Sequence, residues 1–172
     1  MGCIVAKFGG SSLATAGQMQ KVAAIVRQNP ERRDIVPSAP GKAPEFQDKV
    51  TDLLYACQKA AVVQDTVAFE IVFSQIEARY QSIVDGLGTH FDIHTPLQSV
   101  RHAIWEGADA DYAASRGEYL NGLILADLLH IPFIDPAGGI LFDANGNFDE
   151  NGTQLRFSAL LARHERGVIP GF

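Results

Sequence analysis

Short apolar runs of strand length alternate along this chain with longer stretches of helical periodicity. That alternation restricts it to a layered α/β fold with a largely parallel sheet. "CIVAKF" (3–8) runs straight into Gly9-Gly10, the pattern of a buried strand delivered into a tight turn. Met19, Val22, Ala23 and Val26 then recur at i, i+3, i+4 and i+7, with Thr15 placed to cap the helix and Asn29-Pro30 to stop it. "DIVPSA" (34–39) predicts the second strand, and the Pro- and charge-rich "PGKAPEFQDK" a mobile surface loop ending where "VTDLLYA" opens a helix. Phe69, Val72, Phe73, Ile76, Tyr80 and Ile83 carry a helical core stripe bounded by Gly86 and Gly88. Residues 113–129 predict another helix, less cleanly amphipathic because Asp127 falls on the face of Leu120, Leu123 and Ile124. "IPFID" (131–135) predicts a strand, "ILFDANGNFDE" a hairpin around Asn145-Gly146, residues 153–164 a last helix, and "GVIPGF" a further buried strand.

A chain of 172 residues fits one domain and buries about 70% of its unfolded surface, enough for a substantial core. No apolar run approaches the roughly 18 residues that a membrane helix needs. The start "MGCIVA" lacks the layout of a secretory signal and has Ala6 where the myristoylation pattern wants Ser or Thr, so a cytosolic protein is expected. Cys3 and Cys57 lack Cys-x-x-Cys spacing and are expected to be reduced, packed side chains. The net charge of -6 argues against a nucleic-acid surface, and Arg32-Arg33 is too short a basic cluster to change that.

Several motifs fail on inspection. "DANGNFDENGTQ" resembles a calcium loop, but its sixth position is Phe148 where glycine is needed and its twelfth is Gln154 rather than a bidentate glutamate, so it predicts a turn. "HFDIH" aligns His90, Asp92 and His94 only if extended, and before Pro96 it fits a loop better than a metal site. Asn151-Gly152-Thr153 is a glycosylation sequon, idle in a cytosolic protein. "SAPGK" is no phosphate loop of the Walker type, since Val36 replaces the first glycine and Ala43 the Ser/Thr.

What remains is Lys7, Gly9-Gly10 and Ser11-Ser12 between a strand and a helix. Glycines let a backbone approach a ligand closely, the amides of such a turn can hold an anion, and a lysine supplies countercharge. A phosphate is the ligand this favours. A surface lysine beside an ordinary Gly-Gly turn explains the same stretch equally well.

Three stretches taken together go further: "AKFGGSSLA" (6–14), "IVPSA" with "KVTDLLYA" (35–39 and 49–56), and "ASRGEYLNGLILADLL" (114–129). In this order they resemble the aspartate kinases, within the wider amino-acid kinase family. The resemblance extends from residue 4 to Phe172 and is weakest between about 62 and 108, where only a helical pattern compares. It implies the carbamate-kinase-like α/β/α sandwich with a mainly parallel sheet. It also implies transfer of the ATP γ-phosphoryl group to the β-carboxylate of L-aspartate, with Mg2+ accompanying the nucleotide and a homo-oligomeric full-length enzyme. Lys7, Gly9, Gly10 and Ser11 match the family's phosphate cradle, Ser38 and Thr51 its substrate-side hydroxyls, and Glu118 its substrate-recognising glutamate. The role of Arg116 stays open. No metal ligand is assigned.

Aspartate kinases continue, after the strand matching "GVIPGF", into a Gly-rich nucleotide-binding half and regulatory ACT domains. Residues 1–172 are therefore expected to be a truncated amino-terminal, substrate-binding part, inactive alone. Two alternatives stay open at this point: a kinase of the same fold acting on another carboxylate or carbamate, and a non-catalytic amino-acid-binding module.

Overall fold

In the computed structural model, which describes residues 3–171, three strands lie parallel in the order β1 (Ile4–Phe8), β2 (Arg32–Pro37), β3 (Gly167–Val168). Lys7 stands opposite Val36 and Phe8 opposite Pro37, while Ile35 pairs with Val168. The strands are joined through α1 (Ala16–Arg27), α2 (Val50–Val62), α3 (Thr66–Leu87), α4 (His94–Trp105), α5 (Ala110–Leu129) and α6 (Glu150–Leu161). This is the mainly parallel α/β arrangement that the alternating pattern predicts. Met1, Gly2 and Phe172, on which the amino-terminal reading and the last position of "GVIPGF" fall, lie outside the described residues.

Four of the helices begin with the same device. Thr15, Asp65, Asp109 and Asp149 each accept a hydrogen bond from the amide three residues on, at Gln18, Ala68, Tyr112 and Gly152. Each such cap is worth about 1 kcal/mol because it satisfies a donor that the helix itself cannot. The core joins Leu13, Met19 and Val26 to Leu54, Phe73, Ile76, Leu120, Ile124 and Val168, all buried. α2 packs against both α3 and α5, and α5 in turn packs on β2 and β3. Glu118 and Asn121 are therefore carried by the helix that rests on the sheet.

Several expectations need correction. "IPFID" forms no regular strand: Phe133 bridges Val168, with Ile134 N–H donating to Val168 O at 2.8 Å, and Pro132 interrupts the donor pattern a longer ladder needs. β2 starts two residues earlier than expected and ends at Pro37, α5 begins at Ala110, and α6 spans 150–161 instead of 153–164, since its Asp149 cap lies further upstream. α3 runs through Gly86, whose missing Cβ lets α1 approach at Ala16, and stops at Gly88 (φ 66°). His94 is helical, because Pro96 is tolerated in a first turn. Asp92 accepts from the amides of His94 and Thr95 and from the Thr95 hydroxyl, which depresses its pKa and commits its carboxylate to starting α4.

The hairpin forms as a bridge between Phe142 and Phe148 around Gly146 (φ 80°), with Asp143 accepting from the amides of Asn145 and Asn147. Both cysteines are free. Cys57 is buried, which pushes its thiol up to about 12, but Cys3 is exposed at the sheet edge ahead of β1 and not packed as expected. No helix among the described residues is long and apolar enough to cross a membrane.

Candidate active site

β1 and β2 both end at the same rim, and the loops leaving them are bound to each other. Ser38 N–H donates to Phe8 O at 3.0 Å, and Gly41 N–H to Gly10 O at 2.9 Å. A Cβ on Gly10 would stand 2.8 Å from the Ala39 carbonyl oxygen, so this glycine is required by the neighbouring loop. At Gly9 a Cβ would meet nothing within 4 Å, which leaves that side of the turn open. The turn itself, Gly10–Leu13, has no side-chain cap on its leading amides.

The segment after β2 is more constrained than a mobile surface loop. Pro40 is buried, Ala43 and Phe46 bridge each other, and Arg79 of α3 donates to Gly41 O at 2.7 Å while its guanidinium lies 4.4 Å above the Phe46 ring. The reason is Phe46: an aromatic ring in a polar stretch gains by covering a cation.

These segments, with the first turn of α2 and Glu118 from the third turn of α5, enclose a cavity of about 440 Å³. Of the sequence candidates, Gly10, Ser11, Ser38, Thr51 and Glu118 line it; Lys7 and Gly9 do not. Lys42 and Lys49 join the wall without having been site candidates, although Lys49 opens "KVTDLLYA" and both lie in the segment between Ser38 and Thr51. Lys7 is exposed on β1, yet its charge is felt at Glu118. Burial pushes the Glu118 carboxyl above its usual range, against the opposing pull of Lys7 and of the Ala39 N–H. The cavity thus holds one reluctant carboxylate, two wall lysines with a third nearby, and three hydroxyl side chains, a set suited to a small zwitterion carrying more than one anionic group.

Buried polar groups fix this frame from behind. Asn121, fully buried, donates from Nδ2 to Ser38 O at 2.7 Å, and the Tyr80 hydroxyl donates to Gly117 O at 2.6 Å, one residue before Glu118. Arg116 turns elsewhere. Its guanidinium is sandwiched between the rings of Tyr112 and Tyr119, 4.5 and 4.6 Å away, and lines a separate cavity of about 410 Å³ with Asp135, Phe142 and Phe148. That cavity shares no lining residue with the first.

Known proteins resemble the chain over nearly its whole length. It is 30% identical, over 98% of its residues, to aspartokinase 3 of Bacillus subtilis (strain 168). It matches the crystal structure of Clostridium acetobutylicum aspartate kinase with 44% identity and a TM-score of 0.93, covering 100% of this chain. A structure of Escherichia coli aspartokinase III in complex with aspartate and ADP, 20% identical with a TM-score of 0.79 over 99% of the chain, shares the fold. The chain spans about 40% of the length of these relatives: 40%, 39% and 40% in turn. Residues 2–172 match the amino acid kinase family, and the chain belongs to it.

Proposed function

We propose that residues 1–172 are the amino-terminal, aspartate-binding part of an aspartate kinase, with adenine recognition and regulatory ACT domains supplied from outside these residues. The reaction is transfer of the ATP γ-phosphoryl group to the β-carboxylate of L-aspartate. The observation that carries this is the meeting of Glu118, Ser38 and Thr51 with the Gly10-Ser11 turn around one cavity.

In this cavity Glu118 is suited to the α-ammonium of the amino acid, since a partly desolvated carboxylate gains most from a cation. The Ser38 and Thr51 hydroxyls orient a carboxylate by donating to it without neutralising it. Lys42 and Lys49 offset the negative charge that a dicarboxylate brings into the same space as a phosphate. Bound ATP supplies the phosphoryl group. The amides of the Gly9-Gly10 turn, Ser11 and Lys7 would cradle it, and little covalent help is needed because phosphoryl transfer depends mostly on alignment and charge neutralisation. Mg2+ does not fit these residues: the cavity offers one carboxylate among lysines, and no group of three His, Cys, Asp or Glu side chains forms a cage among the described residues. Any such ion rides on the nucleotide's phosphates. A homo-oligomer and a cytosolic location accompany this assignment.

The test is a titration of the 15N-labelled chain. L-aspartate should shift the amides of Ser38, Thr51 and Glu118 more than L-glutamate does, while ATP shifts Gly9, Gly10 and Ser11. Equal responses to both amino acids would favour another acceptor, and no response to either would defeat the proposal.

A further inference from the structure

We propose that Arg79 is a positioning residue: it straps the Pro40–Phe46 segment to α3 and thereby holds Gly41 against Gly10, fixing the two loops of the site as one unit. Only the ligand arm of this inference rests on the aspartate-kinase assignment.

The strap begins with a buried cation. Arg79 is 2% exposed and forms no ion pair with a carboxylate among the described residues, although the charge of Glu45 in the same loop acts on it. A buried guanidinium with no carboxylate in contact is costly, and an apolar side chain of similar volume would pack at lower cost. What Arg79 does have is directional. Nη2 donates to Gly41 O at 2.7 Å, the plane covers Phe46 at 4.4 Å, and Nε lacks a hydrogen-bond partner.

Both attachments are to one loop. Gly41 is held on its other side by its own amide, which donates to Gly10 O at 2.9 Å, and Phe46 is tied back to Ala43 by reciprocal backbone bonds of 2.9 and 3.0 Å. Arg79 on Gly41 O and Gly10 O on Gly41 N–H together hold the two peptide groups that meet at the Gly41 Cα, and the N–H contact sets the spacing between the turn with Ser11 and the loop with Ser38 and Lys42. Arg79 does not itself line the cavity or touch any proposed ligand group; it reaches the site only through its bond to the wall residue Gly41.

Arg79→Met removes donor and cation while keeping an apolar stem. Arg79→Lys keeps a cation over the ring and one flexible donor. Phe46→Leu leaves the Arg79 to Gly41 bond and removes the stack. Amide hydrogen exchange at Gly41, L-aspartate affinity by NMR titration, and melting temperature are measured on the 172-residue chain. In Arg79→Met the Gly41 amide should exchange roughly tenfold or more faster than in the parent, beyond any change at core amides of α5 such as Ile124, and aspartate affinity should fall by a similar factor. Arg79→Lys should recover part of both losses. Unchanged Gly41 exchange, or exchange rising only in step with Ile124, overturns the strap. Faster exchange with undiminished aspartate affinity overturns its role in the site. If Arg79→Met does not fold, Phe46→Leu decides: it should loosen Gly41 by a smaller factor, and an unchanged Gly41 amide there counts against the proposal. If the parent chain binds no aspartate, the functional assignment fails on its own, and Gly41 exchange still decides the strap.

Discussion

Gly10 and Gly41 are joined by a 2.9 Å hydrogen bond from the Gly41 amide to the Gly10 carbonyl, and neither position has room for a side chain. A Cβ on Gly41 would come within 2.8 Å of the Gly10 carbonyl carbon, and one on Gly10 within 2.8 Å of Ala39 O. Two loops from neighbouring strands thus share one backbone junction, with the proposed phosphate side on one flank and the proposed amino-acid side on the other.

Gly10→Ala should damage both flanks together. The obstructing atoms are backbone, so the loops must separate, at a cost of about 1 to 3 kcal/mol for overpacking. Calorimetry should show the lower melting temperature, and titration should show ATP and aspartate shifts weakened in parallel. Gly9→Ala is the control for stability, since open space surrounds that position and the melting temperature should hold. A Gly10→Ala chain that melts and binds normally would show that the junction tolerates what the geometry forbids.

Lys7→Ala should act differently. Lys7 is exposed and outside the cavity wall, so stability should hold within about 0.5 kcal/mol. In an active enzyme carrying this segment, turnover should fall by roughly 10²-fold or more, the scale of losing one preorganised donor at a developing charge. Near-normal turnover would make Lys7 an ordinary surface lysine at a strand end.

Much of this fold can be read from periodicity. Met19, Val22, Ala23 and Val26 are buried as their spacing requires, and Thr15 caps α1, because one amphipathic helix with a local start signal needs no tertiary information. "IPFID" looks like a strand and is only a bridge, since whether an extended segment pairs depends on how much of its neighbour is available, and β3 spans just two residues. Motif matching finds Gly10, Ser11, Ser38, Thr51 and Glu118, which do converge. It includes Lys49 at the head of "KVTDLLYA" without giving it a role, and it cannot find Lys42 or Arg79. Arg79 enters through a loop folding back onto α3, a pairing with a sequence separation of 38 residues that no local pattern encodes.

Tyr80→Phe tests the support behind Glu118. The hydroxyl is fully buried and bonds Gly117 O at 2.6 Å, so its loss removes one buried hydrogen bond from a carbonyl that α5 also uses, at a cost of about 0.5 to 1.5 kcal/mol. The melting curve should record this, while the pocket's cations and hydroxyls are untouched. Aspartate affinity should drop by less than for a change at Glu118 itself. A drop as large would place Tyr80, through Gly117, in control of where the carboxylate sits.

Glu118→Gln separates recognition from stability by pH. Burial raises the Glu118 pKa, with Lys7 and the Ala39 amide opposing, so between the ordinary carboxylate range and the raised value the folded chain binds more protons than the unfolded one. Stability from this group is therefore greatest in acid and declines as pH rises through that window, and the glutamine variant should lose that slope. Ligand binding should run the opposite way. Only the ionised carboxylate pairs with an ammonium, so aspartate affinity in the parent should fall as pH drops through the same window, above the range where free aspartate itself titrates. At neutral pH the variant should bind aspartate more weakly by about 10- to 150-fold, the range for losing a charged hydrogen bond of about 1.5 to 3 kcal/mol, with ATP shifts little changed. Titrations at several pH values, paired with melting curves, read both effects in one set of samples. A variant that keeps the parent's aspartate affinity and its pH profile would leave Glu118 as a half-buried carboxylate within α5, whose start at Ala110 lies two turns upstream, and leave the ammonium to another residue.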